Sequence, residues 1–283
     1  MITVGDFYLD LREMLRTAGN DMPEFAANQI LATRLGVTQT ELLSRRPLYI
    51  SDESRVECVA MARRAAQGEP LAYVLGQWDF FGLTLEITPD VLIPRPDTEL
   101  LAQTAIDRAG KYGEPARILD LCCGSGCVGL AIAANAQNAD VLLADNSTAA
   151  LEVAKRNARR LGLDIRFMEA DALSPPVKAL GQFEVLVCNP PYVSDAEYDA
   201  LDASVRMFEP EKALRGGRDG MDFYRAVING WYKALVSGGA LIFESGYNQA
   251  RGVAALMEKS GYTGVKIYKD FGGRERVIAG VKL

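Results

Sequence analysis

Arg117-Ile118-Leu119-Asp120-Leu121-Cys122-Cys123-Gly124-Ser125-Gly126 decides the fold. Residues 117 to 120 read as a short strand, no spacer separates it from the glycines, and a helical pattern follows Gly126. Glycines therefore fall where the chain must turn tightly and let a ligand approach the backbone. The unpaired N–H groups of the next helix start lie beside that turn. Asp145 ends a second strand, Val141 to Ala144, where a carboxylate can accept hydrogen bonds from both hydroxyls of a ribose. Asp171-Ala172, after a third strand at Ile165 to Met168, would line the base end of the same crevice. Gly124, Gly126 and Gly129 also spell the dinucleotide pattern G-x-G-x-x-G, so the glycines alone leave the ligand open.

Outward from this core, strands and helices alternate. A helix is expected over Thr148 to Leu161, with further strands at Glu184 to Val187, Ala240 to Glu244, Val265 to Tyr268 and Arg276 to Ala279. The last two form a terminal hairpin. Such alternation predicts a mostly parallel sheet covered on both faces. Upstream, residues 1–75 read as a small helical bundle. Val4, Phe7, Tyr8, Leu11, Met14 and Leu15 share one helical face, and Gly19-Asn20 stops that helix. Pro23 suits a helix first turn, Gly36 a C-terminal cap, and Thr38 with Glu41 a capping box. A helix from about Ser51 is expected to carry Val56, Val59 and Ala60, and Arg45-Arg46 with Arg63-Arg64 offer either a docking surface or solvated faces. Residues 76–96 read as a hairpin linker turning at Gly82, and 97–283 as the larger domain.

A second stretch carries the chemistry. Asn189-Pro190-Pro191-Tyr192 follows the apolar run Val185 to Cys188. The prolines stiffen the exit from the strand, Asn189 and the neighbouring carbonyls offer acceptors, and Tyr192 supplies a flat face. Two acceptors beside a ring suit a planar NH2 group, although a proline-stiffened turn would use the same residues.

Composition removes other classes. The 283 residues include no histidine, which excludes the usual general base and the triads built on it. Five cysteines, three of them at Cys122, Cys123 and Cys127, make no disulfide framework, and no metal site is expected. A net charge of -6 argues against direct nucleic-acid binding. No signal peptide or membrane-spanning run is visible, so a cytoplasmic protein is expected.

Asp120 at the first strand's end and the Asn-Pro-Pro-Tyr loop favour S-adenosylmethionine over a nicotinamide cofactor. Together these residues resemble the class I S-adenosylmethionine-dependent methyltransferases, whose amino-group methylating members share that loop. Gly68-Glu69-Pro70 with Tyr73 and Gly76, Phe81-Gly82, Leu92 to Glu99, and Phe208-Glu209-Pro210 leading to Gly216-Gly217 and Asp219-Gly220 narrow the likeness. Nearly the whole chain is similar to the protein-(glutamine-N5) methyltransferases that modify peptide chain release factors. The resemblance implies an α/β, Rossmann-like domain with a mostly parallel seven-stranded sheet, behind a helical substrate-docking domain. It implies cofactor binding by Cys122, Cys123, Gly124, Ser125, Gly126, Asp145, Ala172 and Asn189, to which the positions of Asp120, for the cofactor's amino-acid end, and Asp171 are added from the residues themselves. Asn189, Pro190, Pro191 and Tyr192 would hold the glutamine, with Asn189 and Pro190 as the catalytic pair. Tyr192, with Phe80 or Phe81, would sandwich the amide, core packing being the competing role for both phenylalanines. Cys122-Cys123 replaces the Gly-Thr usual in that family, which questions the loop geometry. A ribosomal-protein glutamine, an adenine or cytosine amino group, and a non-catalytic nucleoside sensor are the alternatives.

Overall fold

The computed structural model describes residues 1–112, 115–136 and 139–283. The chain divides into two compact units, Met1–Gln77 with Ala203–Phe208, and Trp78–Asp202 with Glu209–Leu283. No helix among the described residues is long and apolar enough to cross a membrane.

The first unit holds α1 (Val4–Thr17), α2 (Pro23–Leu35), α3 (Gln39–Arg45), α4 (Asp52–Ala66) and α5 (Leu71–Leu75). Local signals mark their ends. Pro23 opens α2, Gly36 closes it in the left-handed conformation at φ 62°, and Thr38 and Glu41 form a reciprocal capping box. Leu11, Leu15, Ile30 and Leu31 are fully buried between the helices. The face of α4 differs from the sequence expectation: Val56 is 69% exposed, and Ser54, Cys58, Ala62 and Ala65 point inward instead. Small residues at helical spacing let α4 approach its neighbours closely, which outweighs the larger apolar area of one valine. Half of the arginine surface is structural too. Arg46 stacks 4.4 Å from the Tyr8 ring centroid, and Arg64 binds Glu69 and the Tyr73 and Val74 carbonyls.

The second unit begins with a two-stranded hairpin, β1 (Gln77–Phe80) and β2 (Leu83–Glu86). Its turn residues, Phe81 at φ 51° and Gly82 at φ 76°, both take the positive angles that match strand twist. From Trp78 onward the hairpin groups with the larger unit, and its Glu86 is bound by Asn157 and Arg156. A 3₁₀ turn at Pro96–Thr98 leads into α6 (Glu99–Ala109). The sheet strands are β3 (Arg117–Leu121), β4 (Asp140–Asp145), β5 (Arg166–Glu169), β6 (Phe183–Cys188), β7 (Leu235–Glu244), β8 (Tyr262–Lys269) and β9 (Glu275–Lys282). Helices α7 (Cys127–Asn135), α8 (Thr148–Leu161), α9 (Asp195–Asp199), α10 (Ala203–Phe208), α11 (Asp222–Gly230) and α12 (Ala250–Lys259) fall between them. Of these, α10 is the segment grouped with the first unit.

The seven strands run in the order β5-β4-β3-β6-β7-β9-β8, and β9 alone is antiparallel to its neighbours. Chain order reverses between β3 and β6, whose register pairs Leu121 with Cys188. In an open α/β sheet a ligand crevice lies beyond the carboxyl ends of the strands at such a switch point. The glycine-rich turn after β3 and the Asn189 loop after β6 therefore meet there. Beneath, Trp231, Tyr224, Phe183 and Phe243 fill the core, each contributing up to about 3 kcal/mol of apolar burial.

Candidate active site

A cleft of 890 Å³ opens at the switch point. Its lining includes Asp120, Cys122, Cys123, Gly124, Ser125, Asp145, Ala172, Asn189 and Pro191. Four other expected site residues are not among the lining. Gly126 lies beneath the turn as the left-handed residue before α7, at φ 81°. Asp171 folds onto its own turn, accepting from the Leu173 N–H at 3.0 Å and the Ser174 hydroxyl at 3.1 Å. Pro190 is buried, and the half-buried Tyr192 packs against the sheet core. Neither Phe80 nor Phe81 lines the cleft; Phe80 is buried and Phe81 is held by its N–H on Glu99.

The glycine-rich turn is built from the strand ends. Cys122 adopts φ 64°, the left-handed conformation that a glycine would take without a Cβ penalty, so the unusual cysteine keeps the turn at some strain. The Cys123 N–H reaches the Ala144 carbonyl at 3.1 Å, and the Gly126 N–H reaches Cys123 at 2.8 Å. A Cβ on Gly124 would meet open space, whereas one on Gly129 would lie 2.3 Å from Leu143. The first glycine leaves room for a ligand, and the last lets α7 press onto the sheet.

Asn157, in the middle of α8 and fully buried, holds this region together and was missed in the sequence. Its amide donates to the carbonyls of Glu86 and Ser125, both at 3.0 Å, and accepts from the Glu86 N–H at 2.6 Å. One side chain thus joins the hairpin, the helix and the glycine-rich turn. Nothing local distinguishes it from a solvated helix asparagine.

Three acids gather at the strand ends. Asp145 accepts from Gly124 at 2.9 Å and from Ser147 at 2.9 Å, while Ser147 itself caps α8. Burial raises the Asp145 carboxyl above its ordinary value, and these N–H groups pull it back. Asp120 accepts from the Gly129 N–H at 2.8 Å, and burial pushes its carboxyl to about 7. Glu244, at the end of β7, is likewise pushed by burial to about 7. The sequence carried a signal for Glu244: like Asp120 and Asp145, it closes an apolar run, Leu241 to Phe243. The thiols of Cys123, Cys127 and Cys188 stay protonated, because burial raises Cys123 and Cys188 and lifts Cys127 to about 12. No group of His, Cys, Asp or Glu among the described residues is arranged to hold a metal ion.

The Asn189 loop is gripped from distant parts of the chain. Gln249 donates to the Tyr192 carbonyl at 2.9 Å, the Val193 N–H donates to the Leu214 carbonyl at 2.9 Å, and the Gly216 N–H donates to the Val193 carbonyl at 2.8 Å. A Cβ on Gly216 would sit 2.7 Å from the Pro191 oxygen, so that glycine is needed for the close approach. Arg95, from the proline-rich segment, pairs with the buried Glu209 at 2.5 Å, and Glu209 also accepts from the Ile93 N–H at 3.3 Å. Thr98, 1% exposed, accepts a long 3.5 Å hydrogen bond from the Asn189 amide nitrogen.

The doubly wound sheet, glycine-rich turn and strand-end acids define a class I methyltransferase fold. The family model described as "Methyltransferase small domain" matches residues 96–218, and "PrmC N-terminal domain" matches 9–76. A methyltransferase structure from Pyrococcus furiosus superposes with a TM-score of 0.53 at 19% identity, covering 71% of this chain and 90% of that one. A release factor glutamine methyltransferase of Burkholderia pseudomallei is 38% identical across 95% of this chain and 94% of its own length. One from Geobacter sulfurreducens is 35% identical, over 95% and 93%. The chain belongs to the release factor glutamine methyltransferase family.

Proposed function

We propose that this protein transfers a methyl group from S-adenosyl-L-methionine to the N5 side-chain amide of a glutamine in a peptide chain release factor. The observation that carries this reading is the Asn189 carboxamide at the cleft, its nitrogen engaged by Thr98 and its oxygen left to accept. The residues around it suit the cofactor. Ser125 keeps a buried hydroxyl without a partner among the described residues, Gly124 leaves room at the turn, and Asp145 and Asp120, which line the cleft, would accept from ribose hydroxyls and an ammonium. When bound, S-adenosyl-L-methionine supplies an electrophilic methyl group on a sulfonium. Ala172, its carbonyl tied to the Trp231 indole N–H at 3.2 Å, offers a short side chain to the adenine.

An amide nitrogen is a poor nucleophile because its lone pair is delocalised, and no histidine is present to remove its proton. Orientation therefore carries the work. The Asn189 side-chain oxygen and the Pro190 carbonyl accept the two substrate N–H bonds and turn the nitrogen into the cleft. Such positioning can supply about 7–11 kcal/mol, and the same dipoles stabilise the positive charge that grows on nitrogen. The proton then leaves to water. The helical unit docks the release factor, offering the exposed cations Arg45 and Arg63 and the exposed apolar side chains Leu43 and Leu48. Purified protein incubated with methyl-labelled cofactor and, separately, release factors, ribosomal proteins, DNA and RNA tests the assignment. Label is expected on a release-factor glutamine; label confined to ribosomal protein or nucleic acid would overturn it. Asn189→Ala is expected to lower kcat by about 10²–10³-fold with the fold intact.

A further inference from the structure

We propose that Glu244 is a positioning residue for amide methylation: together with Thr98 it dictates which arm of the Asn189 carboxamide faces the substrate. This rests on the function proposed above, since Asn189 is there the acceptor of the substrate N–H.

The geometry begins in the sheet. β6 and β7 run parallel with Val187 opposite Ile242 and Cys188 opposite Phe243, so the next residues, Asn189 and Glu244, emerge side by side. The Glu244 backbone is held in place. Its backbone carbonyl takes the Tyr224 hydroxyl at 3.0 Å, its residue pairs with Val277 of β9, and the following Ser245 N–H binds the Arg276 carbonyl at 2.8 Å. Its side chain is 2% exposed, and Oε2 has no hydrogen-bond partner among the described residues. Thr98 comes from the far side, on the 3₁₀ turn after Pro94-Arg95-Pro96.

Direction follows from counting protons. A threonine hydroxyl has one proton; because Thr98 Oγ1 accepts from the Asn189 nitrogen, that proton must go to another acceptor. A Glu244 carboxylate is acceptor-only; it takes side-chain hydrogen bonds from both Thr98 and Asn189, and so keeps the Asn189 NH2 and the Thr98 proton on its own side. The Asn189 oxygen is then left for the substrate. Protonated Glu244 can donate instead, the order can reverse, and a flipped carboxamide would present NH2 to NH2.

The charge on Glu244 is sensitive to its surroundings. Burial pushes its carboxyl up to about 7, Thr98 and Arg276 pull it down, Asp97 pushes it up, and the Asn189 amide pulls it down. Arg276 is itself shared, at 3.0 Å from Asp97 and 3.4 Å from Asp270. The phenols of Tyr192 and Tyr224 and the thiol of Cys127, all raised by burial, stay neutral around it.

The test uses the full-length protein labelled with nitrogen-15. The side-chain NH2 signal of Asn189, identified by its loss in Asn189→Asp, is followed from pH 5.5 to 8.5 beside steady-state methylation of a release factor. The expected results are an Asn189 signal that titrates near neutrality, a kcat that falls as pH drops through the same range, and loss of both in Glu244→Gln. In that variant kcat is expected to fall about 10²-fold while KM and the cofactor Kd stay within threefold, because only orientation is lost. Thr98→Val should lose a similar factor, and Thr98→Ser should regain about tenfold relative to it by restoring the hydroxyl. A Glu244→Gln kcat within twofold of the unmodified protein, an Asn189 signal indifferent to pH, or an equal loss in kcat, cofactor affinity and Tm would each overturn the inference. An intact Asn189 titration without methylation of any release factor would support the positioning and overturn the acceptor assignment instead.

Discussion

The two loops that meet at the cleft differ in what sets their geometry. The glycine-rich turn after β3 takes its backbone angles from contiguous residues, a strand end, positive φ at Cys122, Gly124 and Gly126, and the helix that follows, and is then tied in place by Ala144, Asp145 and Asn157. The Asn189 loop after β6 has prolines of its own but takes its orientation from residues far from it in the chain, Thr98, Gly216 and Gln249. A turn that recognises a common ligand needs a backbone shape, which neighbours can impose. A loop that must aim one amide oxygen needs fixed side-chain partners, which only tertiary packing supplies.

The sharpest way to break this contrast is Gly216→Val. The new side chain would collide with Pro191 and Tyr192, where a Cβ already lies 2.7 and 2.8 Å away. Methyl transfer should fall about 10²-fold from misplacement of the loop, with cofactor affinity within threefold in a binding titration. Loss of both together would show that the loops are not independent.

Asn157→Ala tests the turn. It leaves the Glu86 N–H and the Glu86 and Ser125 carbonyls without their partner. Unfolding in urea should show a loss of about 2–3 kcal/mol, and the cofactor affinity should weaken while Asn189-dependent orientation stays intact.

A smaller effect lies in pH. Asp120 keeps its proton in the folded chain up to about 7, whereas an unfolded aspartate loses it near about 4. Between these values the folded state binds more protons, so this group's contribution to stability is present at low pH and is lost as pH rises toward 7. Asp120→Asn, which can still accept from Gly129, should flatten that decline by about 2 kcal/mol in denaturation curves taken from pH 5 to 8.

The smallest effect is at Cys122. Replacing it by glycine removes a left-handed cysteine at φ 64° and should stabilise the protein by about 0.5–1 kcal/mol, measured by thermal unfolding. A destabilised Cys122→Gly would mean that the thiol's packing against the core exceeds the backbone strain.

The sequence by itself determined the parts that rest on short-range physics. Helix ends at Pro23, Gly36 and Thr38, the hairpin turn at Gly82, and the alternation that makes β3 to β6 parallel all follow from backbone sterics and apolar period over a few residues. Asp120, Asp145 and Asn189 were legible as cleft residues because each closes an apolar strand. Tertiary structure alone decided the inward face of α4, the grouping of the hairpin with the sheet, and the partners of Asn157 and Asn189. Asp171 and Tyr192 turned toward their own turn and the core for the same reason. Side-chain direction at a strand end depends on which distant donors and acceptors are buried beside it, and burial is a property of the assembled sheet.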